Sequence, residues 1–387
     1  MDKEINIERV KKIFNNLKQE SGTHSPSIKT VLQEIPELKI DVDACFLSNP
    51  YATDLFIENM KADFPTYDDL RDSLEFYPPQ NSDISKIIGQ TIAVKKENIF
   101  VGNGAIEIIS ATLKRFCGNR LLLPIPTFSS YYEFLNNDQE IFFHNLKESE
   151  NYVLNIKNLI KDVREKKVDS LIIINPNNPN GDYINYDELI DLLENCKNLD
   201  CIILDESFVH FAYEDDSLKL MNYYELINKY SNLVIIKSMS KDFGIAGVRA
   251  GYGIMSSDRV SELTNSGYLW NISGLATYFF DLYSGTKFRN KYEIVRKKYI
   301  MNTLMFRSEL SSIKGLKIYP SKANFFLIKV DNDELDDFGL RLLVNHGVYI
   351  RNCSDKIGLK GSGYYRIASR SFEENVKIIK AIKIELA

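Results

Sequence analysis

The stretch IIKSMSKDFGIAGVRAGYG, residues 235–253, decides how the rest of the chain is interpreted. It begins as an apolar strand and runs into two small hydroxyl residues, Ser238 and Ser240, followed directly by Lys241. Eight residues later, Arg249 stands in a glycine-rich segment. Two hydroxyls and a guanidinium can bind a phosphate together, and a lysine beside them can form a Schiff base with an aldehyde. The pattern therefore predicts an aldehyde cofactor that carries a phosphate.

Pyridoxal 5′-phosphate (PLP) is the cofactor that fits this pattern, and it needs partners from elsewhere in the chain. Asp205 is the candidate carboxylate for its pyridine nitrogen, and Asn178 is the candidate donor to its phenolic oxygen. The simpler interpretations are a structural strand-end aspartate and a turn asparagine. Lys237 competes with Lys241 for the covalent role, but it lies at the strand end and lacks the glycine-arginine pattern that follows Lys241.

Three apolar runs recur at roughly 30-residue intervals, the spacing of βαβ units. They are Ser170–Asn175, Cys201–Asp205 and Leu233–Lys237. Continuous apolar runs are typical of strands covered on both faces, and polar residues follow each run. Because the carboxyl ends of parallel strands meet at one edge, we expect these polar residues to form one site.

Two further positions fit the same site. Gly104 and Ala105 stand between a predicted strand and a predicted helix, where free backbone N–H groups and the helix dipole favour a phosphate. Many strand–helix junctions carry glycines, so the signal is weak alone. Phe128 follows another apolar strand, and it can either stack on a flat cofactor ring or serve as a core aromatic.

The composition excludes several classes of function. The chain has 387 residues, and 44% of them are hydrophobic, so it can bury a large core. A net charge of −5 predicts neither a nucleic acid nor a membrane partner. Five scattered cysteines predict reduced thiols in a cytoplasmic protein and no metal site. The N-terminus has no signal-peptide pattern, and no apolar stretch reaches the ~20 residues of a membrane span.

The candidate substrate residues lie near the two ends of the chain. Arg351 and Arg366 belong to neighbouring predicted strands of a smaller C-terminal α/β segment, and they can grip a carboxylate or a phosphate. His24, in a polar break after the first predicted helix, can bind an anion. The alternatives are two solvated arginines and a loop histidine.

On these motifs the chain resembles a fold-type I PLP enzyme of the class I/II aminotransferase superfamily. It is similar to histidinol-phosphate aminotransferases and to threonine-phosphate decarboxylases. The resemblance rests on the lysine stretch, on NPNNPNG at 175–181 and on DESF at 205–208, and it covers nearly the whole chain. It implies an α/β fold with a mostly parallel seven-stranded sheet between helices. The expected parts are an N-terminal arm at 1–50 packing on the small domain, a large PLP-binding domain at 51–280 and a small C-terminal α/β domain at 281–387.

The resemblance also implies a role for each site residue. Lys241 would hold the cofactor aldehyde, with Asp205 on the pyridine nitrogen, Asn178 on O3′ and Phe128 on the ring. The cofactor phosphate would lie against Gly104, Ala105, Ser238, Ser240 and Arg249. Tyr77 would reach the phosphate of the neighbouring subunit's cofactor, which implies a homodimer. The implied substrate residues are His24, Ser25, Asn49, Asn178, Arg351 and Arg366.

Details of the resemblance favour the decarboxylase branch. Phe208 stands where the transaminases usually carry tyrosine, and the segment around Arg351 and Arg366 resembles the decarboxylase tail. Leu47 stands where these families usually carry asparagine, so serine phosphate fits as well as threonine phosphate. The expected reaction is decarboxylation of a small O-phospho-L-amino acid to a phosphorylated amino alcohol such as ethanolamine phosphate. Such amines are expected to serve cobamide or surface-polysaccharide decoration.

Two other functions remain open from the sequence. The first is an aminotransferase acting on a small phosphorylated or phosphonylated substrate, with glutamate as amino donor. The same residues would serve it, because only the bond held perpendicular to the cofactor ring differs. The second is a non-catalytic relative that binds PLP as a regulator or scaffold.

Overall fold

The computed structural model describes residues 6–21, 26–212, 223–268, 272–330 and 337–387. In these ranges the helices are α1 (Ile7–Ser21), α2 (Ile28–Glu34), α3 (Pro50–Asp63), α4 (Tyr67–Glu75), α5 (Asn81–Ile92), α6 (Ala105–Arg115), α7 (Ser130–Glu133), α8 (Ile156–Glu165), α9 (Tyr186–Cys196), α10 (Val209–Ala212), α11 (Tyr223–Lys229), α12 (Ser257–Asn265), α13 (Gly274–Ser284), α14 (Thr286–Ser311), α15 (Phe338–His346) and α16 (Phe372–Glu385). The strands are β1 (Val42–Asp43), β2 (Ile99–Asn103), β3 (Arg120–Ile125), β4 (Glu140–Asn145), β5 (Ser170–Ile174), β6 (Cys201–Asp205), β7 (Leu233–Ser238), β8 (Ala250–Ile254), β9 (Leu316–Ile318), β10 (Phe325–Val330), β11 (Val348–Tyr349), β12 (Arg351–Asn352) and β13 (Tyr364–Ala368).

A seven-stranded sheet forms the large part of the molecule, in the order β2-β8-β7-β6-β5-β3-β4. Its strands are parallel except β8, which runs antiparallel to both β2 and β7. The predicted α/β class and mostly parallel sheet are confirmed. The three apolar runs form β5, β6 and β7, each within one residue of the predicted bounds.

The central strands are apolar except at their ends, because each face is covered by helices. In β5, Leu171 and Ile173 pack with α8, α9 and α13 in one core cluster. Ile172 and Ile174 pack on the opposite face with α6. Alternating side chains of a strand point to opposite faces, so a strand buried on both faces needs an unbroken apolar run.

β8 was not predicted, because its sequence AGYGI has little strand character. Its glycines are required by close packing. A Cβ atom at Gly251 would lie 2.7 Å from the backbone N of Ala105, at the start of α6. The strand therefore lets the first turn of α6 approach the sheet edge where β7 ends.

The sequence Asn49-Pro50 is typical of a turn and predicts one, but in the structure it starts α3. Asn49 is the N-cap, and its Oδ1 accepts hydrogen bonds from the backbone N–H groups of Tyr51 and Ala52. Pro50 occupies the first turn, where a helix loses no hydrogen bond to proline. A turn and a capped helix start share the same Asn-Pro signal, so the sequence alone did not separate them.

A second, antiparallel sheet in the order β12-β13-β10-β9 packs against α14 and α16. Described elements that precede α3 lie against this smaller part of the molecule. β1 pairs in parallel with β11, and α1 packs on α15, where Lys11 Nζ lies 2.9 Å from Asp337 Oδ2. None of the described helices has both the length and the apolar character needed to cross a membrane.

One carboxylate links the two sheets. Glu148, between β4 and α8, accepts hydrogen bonds from Tyr319 and Tyr364 at 2.8 Å each and from Lys317 at 3.1 Å and Lys329 at 3.2 Å. All four donors belong to or adjoin the smaller sheet. Glu148 follows β4, the edge strand of the large sheet, and its hydrogen bonds therefore hold this edge against the small sheet.

Candidate active site

A cavity of about 600 Å³ opens at the carboxyl edge of the large sheet, facing the smaller sheet. The ends of β5, β6 and β7 supply part of its wall, and the start of α6 supplies another part. Segments from the N-terminal region and from β11–β13 close the opposite side. Its volume is typical of a pocket for a small organic ligand.

Lys241 lies in the turn that follows β7, and its side chain lines the cavity. Its backbone carbonyl accepts a 2.9 Å hydrogen bond from the N–H of Asn49. Nζ lies 4.4 Å from the centre of the Phe46 ring. Burial, with Arg366 and Arg249 nearby, lowers the pKa of Lys241 to about 8. An amine held near neutrality is suited to covalent and proton-transfer chemistry.

Asp205 ends β6 with its carboxylate buried in the cavity wall. Oδ2 accepts a 2.8 Å hydrogen bond from the hydroxyl of Tyr131. Oδ1 accepts from both the N–H and the Oγ of Ser207, at 2.9 and 2.5 Å. Burial raises the pKa of Asp205, although these donors oppose the rise. A buried carboxylate of this kind gains most from a cationic partner in the cavity.

Arg366 fixes the orientation of the Asn178 amide. Its Nη1 donates a 2.7 Å hydrogen bond to Asn178 Oδ1, and its Nη2 donates a 2.8 Å bond to the carbonyl of Cys45. The two ends of an amide differ in hydrogen-bonding character, so an arginine on the oxygen assigns the NH₂ group to the other side. Asn178 can therefore donate to a ligand oxygen.

A phosphate-sized cradle lies on the other side of Lys241. Arg249 has the left-handed backbone angle φ of +63°, and its guanidinium packs against Gly104, where a Cβ atom would lie 2.7 Å from Nη2. Ala105 begins α6, whose first-turn N–H groups have no partner within the helix. Ser238, Ser240 and Arg249 line the same cavity. Two hydroxyls, a guanidinium and a helix N-terminus together form an anion site.

These features fit PLP. The cradle matches its phosphate, the Asp205 carboxylate matches a protonated pyridine nitrogen, the Asn178 amide matches the phenolic oxygen, and Lys241 lies within the same cavity. Phe128 also lines the cavity, and its ring meets Tyr131 edge-on with centroids 6.4 Å apart. Phe128 is thus available to a flat ring.

The end of the cavity away from the cradle is strongly cationic. Five basic side chains line the whole cavity. Lys241 and Arg249 lie at or beside the cradle, and Arg351, Lys356 and Arg366 supply the positive charge of the other end. The acidic side chains in the same lining are Asp43 and Asp205. Burial raises the pKa of Asp43, which favours its neutral form. The surplus positive charge fits a ligand with more than one anionic group.

Three predicted site residues within the described ranges do not line this cavity, and one of them, Gly104, directly precedes Ala105, which does. Asn49 is fully buried as the cap of α3, and Leu47 lines the cavity instead. Tyr77 lies outside the cavity and is 88% exposed. His24 and Ser25 fall outside the described residues, although the neighbouring Pro26, Ser27 and Ile28 line the cavity.

Lys237, the competing lysine, is excluded from the cavity lining. It is buried, and its Nζ lies 3.0 Å from Glu206 Oε2, which also accepts a 2.7 Å hydrogen bond from Tyr223. This arrangement makes Lys237 part of a buried structural ion pair.

Sequence reasoning missed three residues of the site. Tyr131 and Ser207 hold the Asp205 carboxylate, and Lys356 adds a cation to the far end. Ser207 belongs to the DESF motif, so its place two residues after Asp205 was a usable signal. Nothing in the sequence marked Tyr131 or Lys356, because their contacts join segments far apart in the chain.

The chain matches the family described as aminotransferase class I and II over residues 57–382. It is 48% identical to an L-serine phosphate decarboxylase from Campylobacter jejuni, over 95% of each chain. It is 40% identical to an L-serine phosphate decarboxylase from Sulfurospirillum multivorans, over 96% of this chain and 95% of that one. Among solved structures, a decarboxylase from S. multivorans superposes with a TM-score of 0.92 at 39% identity, over 99% of each chain.

The chain belongs to the class I and II aminotransferase family of fold-type I PLP enzymes. PLP is its cofactor, in agreement with the cavity geometry.

Proposed function

Starting from that family membership, we propose that this chain decarboxylates O-phospho-L-serine to ethanolamine phosphate and CO₂. The cationic end of the cavity carries the proposal, because it offers two arginines and a lysine to a substrate with both a carboxylate and a phosphate. The two serine phosphate decarboxylases that align over nearly the full chain support the same substrate.

The residues of the chain divide the work between binding and proton transfer. Bound PLP supplies an electron sink for the electron pair left when the bond between Cα and the carboxylate breaks. Asp205 holds the proton on the pyridine nitrogen that makes this sink effective. Lys241, whose pKa is lowered to about 8, delivers the proton that replaces the departing CO₂ at Cα.

The substrate residues would set which bond of Cα reacts. Arg366 is restrained by Asn178 and Cys45, so its guanidinium keeps a fixed direction in which to grip an anionic group. Arg351 lines the cavity beside it. Gripping both anionic ends would hold the carboxylate bond perpendicular to the cofactor ring, which is the orientation that decarboxylation requires. His24, Ser25 and Asn49 remain proposed members of the substrate site.

The cofactor residues are proposed as the sequence predicted them. Gly104, Ala105, Ser238, Ser240 and Arg249 would hold the phosphate. Phe128 would stack on the ring, Asn178 would donate to O3′, and Lys241 would carry the covalent link.

A homodimer is proposed on the surface around Tyr77. Helix α4 buries none of its residues. Tyr67 and Tyr77 are 93% and 88% exposed, and Leu74 and Phe76 are also exposed. Four exposed large apolar side chains within eleven residues favour a protein interface in this segment. Tyr77 would then reach the partner's cofactor phosphate.

The proposal also includes the domain limits 1–50, 51–280 and 281–387 and a cytoplasmic location. The product would supply phosphorylated amines for cobamide or surface-polysaccharide decoration.

Incubation of the holoenzyme with O-phospho-L-serine alone tests the reaction. We expect CO₂ and ethanolamine phosphate in equal amounts without any keto acid. O-phospho-L-threonine in parallel tests the substrate, and faster release from it would replace serine phosphate in the proposal. Conversion of the cofactor to its pyridoxamine form by glutamate, without CO₂ release from either phosphoamino acid, would overturn the proposal in favour of transamination.

A further inference from the structure

Lys356 lies in the loop between β12 and β13, and its side chain lines the cavity with Arg351 and Arg366. No carboxylate of the described residues lies within salt-bridge distance of its Nζ, and no hydrogen bond from Nζ to those residues occurs. A half-buried ammonium with three unused donors, facing a ligand cavity, is costly unless an anion meets it.

The loop that carries Lys356 is anchored on both sides. The N–H of Cys353 donates to the carbonyl of Tyr364, and the N–H of Lys356 donates to the carbonyl of Cys353, at 2.8 and 2.9 Å. Beyond Lys356, Gly358 has φ of +96° and packs on the large sheet, where a Cβ atom would lie 2.8 Å from Pro126 N. Lys356 is therefore held in the cleft between the two sheets.

At this end of the cavity, neither Arg366 nor Lys356 has a carboxylate of the described residues within salt-bridge distance, but Lys356 also lacks a hydrogen-bond partner among them. Arg351 Nη2 lies 3.7 Å from Asp355 Oδ2, so these two side chains largely neutralise each other. Arg366 already donates from both terminal nitrogens, to Asn178 and to Cys45. A phosphate monoester carries a charge of about −1.5 to −2 at neutral pH, more than one partly paired arginine offsets.

We propose that Lys356 is a ligand of the substrate phosphate and that its ammonium gives the site its affinity for a phosphate monoester. Arg366, restrained beside Asn178, takes the α-carboxylate. Arg351 and Lys356 take the phosphate at the far end. This assignment rests on the proposed function, and it adds to that function a binding residue that the family motifs do not mark.

The protonation of Lys356 gives the assignment a pH signature. Burial, together with the nearby Arg351 and Arg366, lowers the pKa of Lys356 to about 8, although Cys353 and Asp355 oppose the change. Above that pH the free enzyme loses the ammonium, so phosphate affinity falls. An arginine at the same position keeps its charge throughout this range.

Calorimetric titration of inorganic phosphate into the holoenzyme tests the assignment, because bound cofactor fills the cradle at Arg249. Lys356→Met is expected to weaken phosphate binding at pH 7 about 10- to 100-fold, the usual effect of losing a hydrogen bond to a charged group. It is expected to raise KM for O-phospho-L-serine similarly, with kcat within about threefold. Lys356→Arg is expected to keep the affinity and to abolish its decline above pH 8.

Lys360→Met is the matched control, since Lys360 is an exposed lysine of the same loop. It should bind phosphate as the unchanged protein does. Unchanged phosphate affinity in folded Lys356→Met would overturn the assignment, and so would a loss in Lys356→Arg equal to that in Lys356→Met. Failure of the unchanged enzyme to release CO₂ would remove the proposed function instead, while the phosphate titration would still decide the role of Lys356.

Discussion

The two ends of the cavity are built in different ways. At the cofactor end the polar groups come from strand ends and one helix start of a single sheet, and Asp205 is held by three hydrogen bonds. At the substrate end the groups come from the N-terminal region, the β12–β13 loop and β13. There Nε of Arg366 is buried without a partner, and Lys356 has none among the described residues.

This contrast separates a preformed site from one that a ligand completes. Polar groups that are already hydrogen-bonded on a rigid sheet need little rearrangement when the cofactor binds. Clustered cations with unused donors raise the free energy of the empty site, and an anionic substrate relieves that cost. Changes at the cofactor end should therefore act mainly on chemistry, and changes at the substrate end mainly on KM.

Lys241→Ala is expected to have the largest effect. It would remove the proposed proton donor at Cα and the proposed covalent link, so decarboxylation should fall by at least about 10³-fold. The rate of CO₂ release at saturating O-phospho-L-serine measures it.

Lys237→Ala is the matched control for this change. It leaves Glu206 buried without its partner, which should cost about 3–5 kcal/mol in the free energy of unfolding. The fraction that remains folded should keep its turnover number. An equal loss of turnover in both variants would contradict the assignment of the covalent role to Lys241 rather than to Lys237.

Arg366→Gln tests the substrate end. It removes a charge that bridges Asn178 and the Cys45 carbonyl, so kcat/KM should fall about 100-fold, while PLP affinity should fall much less because Asn178 loses only the contact that orients it. Arg366→Lys should restore little of the loss, because an ammonium lacks the planar fork that meets both partners. A fall in PLP affinity as large as the fall in kcat/KM would contradict the view that Arg366 acts mainly on the substrate.

Tyr131→Phe tests how far the cofactor end depends on its support. Asp205 keeps its Ser207 bonds but loses one donor, and its pKa, already raised by burial, should rise further. We expect PLP affinity to weaken by about fivefold to tenfold, in line with one lost hydrogen bond. Spectroscopic titration of the apoenzyme with PLP measures this, and an unchanged dissociation constant would count against the support role.

Glu148→Gln should have the smallest effect, and it probes the link between the two ends. Partial burial raises the pKa of Glu148, but hydrogen bonds from Tyr319, Tyr364 and the two lysines outweigh it and lower the pKa to about 2. The folded-state pKa lies below the usual 4.5, so the stability it contributes is present above that pH and is lost as pH falls toward 2.

Urea unfolding between pH 5 and pH 3 measures this contribution. Because Glu148 is about one-third exposed, screening limits the loss to about 1 kcal/mol or less. Glu148→Gln should make the free energy of unfolding depend less on pH in this range. An unchanged pH dependence would assign the acid sensitivity to other carboxylates.

The sequence predicted the cofactor end far better than the substrate end. Lys241, Asp205 and Asn178 each follow an apolar strand, and parallel strands bring their carboxyl ends together without any further information. Lys356 and Tyr131 depend on contacts between segments that no local pattern connects. At Asn49 the local pattern itself is ambiguous, because Asn-Pro is typical both of a turn and of the capped helix start that it forms.

The pairing of β1 with β11 has a consequence for the order in which the protein is made. The strands around Lys241 and the helices that cover them, α13 included, are complete once residue 284 has been synthesised, so they can fold while the chain is still growing. The N-terminal cavity residues have no partner strand until Val348 and Tyr349 emerge. The nascent chain can therefore form the cofactor side of the cavity before the proposed substrate side, which needs the residues from Val348 onward.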